Sequence, residues 1–349
     1  MAISNSSRLF AEGWIPFVDV QGTTRECGQA LGYVWKEALR LAAQEMPRGS
    51  KPWWRDKRFA RIIDRCAPHL PDLYRGMARG TGLKEDQICA RTLEPKRSRA
   101  RAEGCTSLAI APGAALDRQP ISGQTKDTTA SRQFQFQVLR LALTDAPGAL
   151  TLTYPGWLFG HGFVKGGCAV FRNSLYAGDS EGTLPYHAWG VLALHCPTID
   201  HVVELSRRYG VRIAGHCTIA DAKGGIVGLE FTKAGVVVLR PKQAIYTHAN
   251  CVAAGSRALR YEACGVFSRD NSLHRERRLR ELLEPDRGRL TAQLVFQALA
   301  DHDGYPVSIC RHQSEQARTT AAVVVEPARN LLHACRGNPC QNWPKTYAL

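Results

Sequence analysis

The chain has 349 residues, of which 44% are hydrophobic and 22% charged, a composition typical of a globular protein with one large domain or two. Its formal net charge of +15 raises the question of nucleic-acid binding. The basic residues lie in three separate segments without a groove-reading motif, which argues against that function and favours solvated helix faces or loops: RDKRFARIIDR (55–65), KRSRAR (96–101) and HRERRLR (274–280).

The first predicted element is an amphipathic helix from Thr23 to Glu45, where apolar residues recur at helical spacing. A second helical stretch covers about residues 57–79. The segment EPKRSRARAEG (94–104) that follows is charged and poor in apolar residues, which predicts a flexible linker ending at Gly104.

Beyond the linker, short runs rich in Val, Thr, Leu and aromatic residues alternate with Gly or Pro turns and predict strands. These runs are CTSLAIA, QFQFQVLRLAL, ALTLTYPGWLF, GCAVFRNSLYA, GIVGLEFT, GVVVLR and TAAVVVEP. Helices are predicted at about 199–209, 272–284 and 290–302. Because strands and helices do not alternate regularly, the pattern predicts an α+β layered domain.

No segment approaches the roughly 18 consecutive apolar residues that a membrane span requires. The first residues also lack the basic and apolar regions of a secretion signal. We therefore expect a cytoplasmic protein with no membrane contact.

Twelve cysteines are scattered along the chain without a CxxC pair, which favours reduced, buried thiols over a disulfide framework. Cys310 with His312, and His216 with Cys217, lack the second ligand pair of a structural zinc site. The sequence therefore predicts no metal and no cofactor.

The junction between Gly104 and Cys105 has the residue types needed for self-cleavage. Glycine lets its carbonyl be approached closely, so the Cys105 thiol can attack it and form a thioester that water resolves. The new α-amine, with an ordinary pKa of about 7.7–8.0, can then act as the base for its own thiol. Taken alone, a cysteine here also fits a buried structural residue at the start of a strand.

Several segments in order along the chain resemble the self-cleaving acyl-coenzyme A:6-aminopenicillanate acyltransferase-like family of N-terminal-nucleophile enzymes. Before and at the junction these are GTTRECGQALG (22–32), LYRGMARGTGL (73–83) and EGCTSL (103–108). After it come ISGQTKD (121–127), GHCTIADAKGGIVGLEF (215–231), THAN (247–250), SLHRERRLRELL (272–283), LADHDGYPVSICRH (299–312) and GNPC (337–340).

This resemblance implies a four-layer αββα fold, in which two antiparallel sheets are sandwiched between helices. It also implies cleavage into a small fragment, residues 1–104, and a large fragment, residues 105–349, which remain bound as a heterodimer. The sequence leaves the oligomeric state open, a homo-oligomer included.

The resemblance assigns catalytic roles to four residues. Cys105 matches the nucleophile, and Asp127 matches the aspartate of the family's GQNWD motif, which orients the nucleophile and the new amine. Asn250 matches an oxyanion-hole donor, and Arg311 an arginine that holds Asp127 or a substrate carboxylate. From the residues alone, Asp127 and Asn250 also fit ordinary turn positions.

The family's Asn-Trp before this aspartate is replaced by Thr125-Lys126, which puts a cation where a tryptophan would line the site. We expect a smaller or more acidic acyl group, unless Lys126 points to solvent on the other face of a strand. Thr125, Lys126, Tyr154 and His161 are the candidate substrate-binding residues. The glycines of GHGFVKGG (160–167) predict a turn bordering the pocket rather than a phosphate loop.

The sequence thus predicts an enzyme that cleaves itself at Gly104-Cys105 and then hydrolyses a small amide through an acyl-thioester on Cys105. An acyl-coenzyme A-dependent N-acyltransferase with the same nucleophile is the first alternative, and the basic surface suits its donor. A basic nucleic-acid-associated protein that never cleaves is the second.

Overall fold

A computed structural model describes residues 15–46, 51–88, 104–253, 255–312 and 317–349. The predicted linker over 94–104 therefore lies, except for Gly104, outside the described residues, as does the basic segment KRSRAR.

Two sheets form the centre of the molecule. The first has eight strands in the order β1-β4-β5-β6-β7-β8-β9-β10: β1 Phe17–Gly22, β4 Gln137–Leu143, β5 Ala149–Thr153, β6 His161–Val164, β7 Cys168–Ser174, β8 Gly215–Asp221, β9 Ile226–Thr232 and β10 Gly235–Leu239. The second has six strands in the order β11-β2-β3-β12-β13-β14: β11 Ile245–His248, β2 Gly104–Ile110, β3 Ile121–Thr128, β12 Arg318–Glu326, β13 Leu331–Arg336 and β14 Lys345–Ala348.

All neighbouring strands described in the two sheets are antiparallel except β1, which runs parallel to β4 over six residues. Because β1 precedes Cys105 and β4 follows it, this pairing joins the two predicted fragments. The expectation of purely antiparallel sheets is corrected at that one edge.

Helices cover the outer faces of both sheets. They are α1 Thr24–Val34, α2 Lys36–Gln44, α3 Lys57–Cys66, α4 Leu70–Thr81, α5 Glu85–Ile88, α6 Ala130–Gln133, α7 Tyr186–His195, α8 Ile199–Tyr209, α9 Val266–Leu283 and α10 Ala292–Leu299. Buried residues of α1, α4, α7 and α8 share one apolar cluster with the eight-stranded sheet, and those of α9 and α10 share another with the six-stranded sheet. The four-layer αββα arrangement is thus confirmed.

Strand β2 shows how side chains are distributed between the layers. Ser107 meets Thr218 of β8 across the sheets, with 2.8 Å between the hydroxyl oxygens. Leu108 and Ile110, which alternate with it, pack in the cluster under α9 and α10. Since successive side chains of a strand point to opposite faces, Cys105 faces the other sheet and Thr106 faces the helices.

Helices α1 and α4, both before Cys105 in the chain, pack backbone against backbone. A Cβ atom at Gly28 would lie 2.2 Å from the carbonyl oxygen of Leu73, and one at Gly76 would lie 2.3 Å from that of Arg25. No side chain fits at such distances, so glycine at these positions permits the close contact. This explains the small residues in the first two segments of the family resemblance.

The sequence predictions for helices were correct in position but not in continuity. The stretch 23–45 is two helices interrupted at Trp35, and the stretch 57–79 is two helices separated by residues 67–69. Helix α7 was missed because nine of its ten residues are buried, so it lacks the polar face on which a periodicity argument depends. The segment GHGFVKGG is strand β6 followed by a turn, rather than a turn throughout.

Candidate active site

The Gly104-Cys105 junction is the beginning of β2 in the six-stranded sheet. Cys105 is fully buried and lies opposite Lys126 in the antiparallel pairing of β2 with β3. Gly104 lies opposite Asp127 in the same register. The pairing therefore brings the predicted nucleophile, the scissile glycine and the predicted carboxylate to one end of two strands.

Lys126 shares the face of Cys105, and its ammonium nitrogen lies 3.1 Å from the Cys105 sulfur. The alternative that Lys126 points to solvent is wrong. Positive charge at this distance stabilises negative charge on the sulfur. His161, which begins β6, is affected by the same cation: burial, then the charges of Lys126 and Arg172, lower the pKa of His161 well below its ordinary value.

Asn250 holds the backbone of Cys105 from the end of β11. Its side-chain oxygen accepts a hydrogen bond from the Cys105 amide nitrogen at 3.0 Å. Its amide nitrogen donates to the carbonyl oxygen of Ser174 at 2.8 Å. Asn250 therefore contacts the Cys105 backbone as an acceptor, whereas the oxyanion role predicted from the sequence needs it as a donor.

Arg275 of α9 was not singled out from the sequence, yet it contacts the junction directly. It is buried, and it donates to the Cys105 carbonyl oxygen at 2.9 Å and to the Asn250 side-chain oxygen at 2.9 Å. Burial lowers the pKa of its guanidinium, which nonetheless stays protonated because arginine does not lose its proton in proteins. The interpretation of HRERRLR as a solvated face is thus wrong at this position.

The helix that carries Arg275 also positions the other site residues. The Ser272 hydroxyl accepts from the Asn250 backbone nitrogen at 2.7 Å. The Asn271 side-chain oxygen accepts from Arg275 at 3.1 Å and from Arg311 at 3.2 Å. The resemblance over 272–283 marks Ser272 and Arg275 but not Asn271, and it gives no side chain a contact.

Asp127 and Arg311 flank Gly104 on the face toward the helices. One oxygen of Asp127 accepts from the Thr319 hydroxyl at 2.8 Å, and the other is buried with no hydrogen-bond partner among the described residues. A Cβ atom at Gly104 would lie 2.7 Å from that second oxygen and 3.1 Å from an Arg311 nitrogen. Only glycine fits between the two charged groups, which accounts for the residue before Cys105.

Thr125 and Tyr154 are the remaining candidate substrate-binding residues, and their described contacts are with other groups. Thr125 is on the helix face of β3, where its hydroxyl accepts from the Thr106 backbone nitrogen at 3.3 Å. Tyr154 follows β5 and its ring packs against those of Phe136 and Trp157 at centroid distances of 4.6 and 5.8 Å. Among the four candidates, Lys126 is the one for which a contact with the sulfur is described.

A buried histidine pair is formed by His216 of β8 and His248 of β11, which is two residues before Asn250 in the chain. His248 stacks on His216 with ring centroids 3.5 Å apart, and its Nε2 lies 3.3 Å from a Glu230 carboxylate oxygen. Burial disfavours the imidazolium, but the hydrogen bond to Glu230 and nearby carboxylates outweigh it and raise the pKa of His248. Glu230 also accepts from the Ala253 backbone nitrogen, so this pair supports the segment that carries Asn250.

A large surface cleft lies elsewhere in the described part of the chain. Its charged lining combines seven basic and three acidic side chains: Lys51, Arg55, Lys57, Arg75, Arg79, Lys84, Arg212, Asp56, Glu85 and Asp86. None of the residues around Cys105 lines it. Among the helices of the described ranges, none combines the length and apolar character needed to cross a membrane.

Comparison with known proteins gives one family match. The model of the acyl-coenzyme A:6-aminopenicillanic acid acyl-transferase family matches residues 122–341. The match includes Asp127, Asn250 and Arg311 and begins after Cys105. Comparison with curated protein sequences gave no significant match.

Solved structures similar to this one include a conjugated bile acid hydrolase from Clostridium perfringens, at 13% identity and a TM-score of 0.47, covering 70% of this chain and 97% of that one. That structure is of a mutant of the hydrolase. The structure of another variant has 14% identity, the same TM-score of 0.47 and the same coverage of 70% and 97%. A penicillin V acylase from Agrobacterium tumefaciens has 11% identity and a TM-score of 0.38, covering 66% and 82%.

Proposed function

Since the chain belongs to the acyl-coenzyme A:6-aminopenicillanic acid acyl-transferase family, we propose that it cleaves its own backbone between Gly104 and Cys105 and then hydrolyses small amides through Cys105. The observation that carries this proposal is the surroundings of Cys105. Its sulfur lies beside Lys126, its amide nitrogen is bound by Asn250 and its carbonyl oxygen by Arg275.

In the proposed cleavage, the Cys105 sulfur attacks the Gly104 carbonyl carbon and a carbon–sulfur bond forms. The bond from that carbon to the Cys105 nitrogen then breaks, and the nitrogen takes up the proton that the thiol lost, which makes it a free amine. Water attacks the resulting thioester, which leaves a carboxylate on Gly104 and restores the thiol.

Turnover of a substrate repeats this chemistry with the new amine as base. The amine takes the thiol proton, the sulfur attacks the substrate amide, and the proton passes to the departing amine. Water then releases the acyl group from the sulfur as a carboxylic acid. Lys126 stabilises the charge on the sulfur, consistent with its 3.1 Å contact.

The contacts of Asn250 and Asp127 suit the amine that cleavage creates. The Asn250 oxygen that accepts from the Cys105 amide is placed to accept from the α-amine as well. The second Asp127 oxygen, which accepts no hydrogen bond from the described residues, lies near Gly104. Its negative charge favours an ammonium over a neutral amine. Both groups thus orient the amine during proton transfer.

The small fragment is expected to stay bound after cleavage. Strand β1 remains in the eight-stranded sheet through its pairing with β4. At the start of α1, both the backbone nitrogen and the hydroxyl of Thr24 donate to Asp145, at 2.8 and 2.7 Å. The apolar cluster on that side of the molecule also contains residues from both fragments.

Intact-mass analysis tests the cleavage. Purified wild type should consist of two chains, one of which begins with Cys105, and Cys105→Ala should remain whole. Cys335→Ala is the matched control because Cys335 is also a buried cysteine of the six-stranded sheet, and it should process normally. A wild-type chain that stays at full length would contradict the proposal.

An amide panel then separates hydrolysis from acyl transfer. Release of free amine without any added acceptor supports hydrolysis, and the same panel with Cys105→Ala should give none. Turnover that requires an added amine or coenzyme A would favour the acyltransferase instead, since both reactions share the acyl-enzyme and differ only in the second nucleophile.

A further inference from the structure

Four side chains, three of them from residues 302–312 and the fourth from Cys340, meet beside Arg311. Cys310 and His312 flank that arginine, His302 lies upstream and Cys340 lies near the C-terminus. Their ligand atoms are all within 4.8 Å of one another. Cys310 is buried, His312 half-buried, and the other two are exposed.

The distances between these atoms are close to those between the ligand atoms of a tetrahedral metal site. The two histidine Nε2 atoms are 3.1 Å apart and the two cysteine sulfurs 3.5 Å apart. His312 Nε2 lies 3.5 Å from the Cys310 sulfur and 3.2 Å from the Cys340 sulfur. Ligand atoms of a tetrahedral zinc ion, at bond lengths of roughly 2.0–2.3 Å, lie about 3.3–3.8 Å from one another.

We propose that His302, Cys310, His312 and Cys340 bind one Zn²⁺ as a structural site. Two thiolates and two imidazoles are a donor set that zinc prefers, and four protein ligands close the coordination sphere. A disulfide between the cysteines would instead require their sulfurs to approach to about 2.05 Å. It would also leave the two converging histidines without a role.

Further groups around the site hold its ligands in place. The Asn338 side-chain nitrogen lies 3.4 Å from the Cys310 sulfur and donates to the Arg311 carbonyl oxygen at 2.8 Å. The Cys310 backbone nitrogen donates to the Asp301 carbonyl oxygen at 3.0 Å. Such outer contacts orient the primary ligands of metal sites.

The site has a consequence for the catalytic residues. Arg311 lies between two of the ligands, and its backbone nitrogen donates to the Thr319 hydroxyl at 2.8 Å. That hydroxyl in turn donates to Asp127 at 2.8 Å. A zinc ion would therefore fix the segment that positions Arg311 and Asp127 around Gly104.

Metal analysis of the full chain, purified without chelators, tests this proposal. We expect about one zinc per chain in wild type and at least a fivefold lower content in Cys340→Ser and in His302→Ala. Cys264→Ser is the matched control: Cys264 also faces a second cysteine, with its sulfur 3.7 Å from that of Cys251, and this variant should keep its zinc. The uncleaved Cys105→Ala should also keep it, which separates this test from that of self-cleavage.

Cobalt provides a readout that does not depend on activity. Protein loaded with Co²⁺ should show the intense visible bands of a tetrahedral thiolate site, and Cys340→Ser with native circular dichroism should lack them. Wild type that binds no zinc even when supplied with it, or a Cys310–Cys340 disulfide found by mass analysis, would overturn the proposal. So would full zinc in both ligand variants, or zinc lost only from Cys264→Ser.

Discussion

Cys105 and Cys310 are both buried cysteines close to Arg311, yet their neighbours differ in charge and chemistry. The Cys105 sulfur faces the ammonium of Lys126, and its backbone is bound by Asn250 and Arg275. The Cys310 sulfur faces imidazole nitrogen and a second thiol. The groups around each sulfur, and not the residue type, therefore distinguish the proposed nucleophile Cys105 from the proposed metal ligand Cys310.

The largest effect is expected from removing the cation that binds the Cys105 backbone. Arg275→Met should stop self-cleavage and lower the free energy of unfolding by about 1–3 kcal/mol, because it leaves the buried Cys105 carbonyl oxygen without this donor and removes one of the two donors to the Asn250 side-chain oxygen. Intact mass and urea unfolding measure the two effects. Arg277→Met is the control on the same helix, since Arg277 is exposed and its contact with Glu281 is a surface pair, worth less than about 1 kcal/mol.

Substitution of Asn250 separates its two candidate roles. Asn250→Ala should slow self-cleavage by about 100- to 1000-fold, the range found on removal of a catalytic hydrogen-bonding group. Asn250→Asp keeps the acceptor oxygen that binds the Cys105 nitrogen but loses the donor, so it should retain most of the cleavage. If both variants were equally inactive in a time course followed by mass, the oxyanion-donor role would be favoured.

Lys126→Met should remove the positive charge that faces the Cys105 sulfur. We expect about a tenfold loss in the rate of self-cleavage, equivalent to roughly 1.4 kcal/mol in the barrier, because negative charge on the sulfur loses its neighbouring cation. Lys126→Arg should restore part of the rate. An unchanged rate in Lys126→Met would remove Lys126 from the mechanism, while zinc content should stay constant in both variants.

The smallest effect concerns His248, which stacks on His216 and contacts Glu230 rather than a cysteine. Because the folded protein raises the pKa of His248 above about 6.5, its contribution to stability is complete below that pH and is lost as the pH rises through the folded pKa. Urea unfolding of wild type and His248→Gln should differ by about 1 kcal/mol at pH 6 and by less at pH 8.5. A difference that grew with pH would contradict the assignment.

The tertiary structure was needed for the groups that act through distant contacts. In the sequence, Arg275 is one of several arginines on a predicted solvated helix. Its packing beneath β2 lets it donate a hydrogen bond to the carbonyl oxygen of Cys105, 170 positions away. The sequence predicts no second ligand pair for Cys310 and His312, because Cys340 is 30 positions from Cys310, although His302 lies in the same segment, 299–312. The contacts of Arg275 and Cys340 leave no local pattern, since folding of the chain brings these residues to their partners.

By itself the sequence determined the local features of this protein: the helix Ile199–Tyr209, the strand runs after the linker, and the Gly104-Cys105 junction with its candidate partners Asp127, Asn250 and Arg311. Those features depend on neighbouring residues and on motif order, which can be read along the chain. The tertiary structure alone decided which side chains face the Cys105 sulfur, because strand register and sheet packing determine the face to which each side chain points.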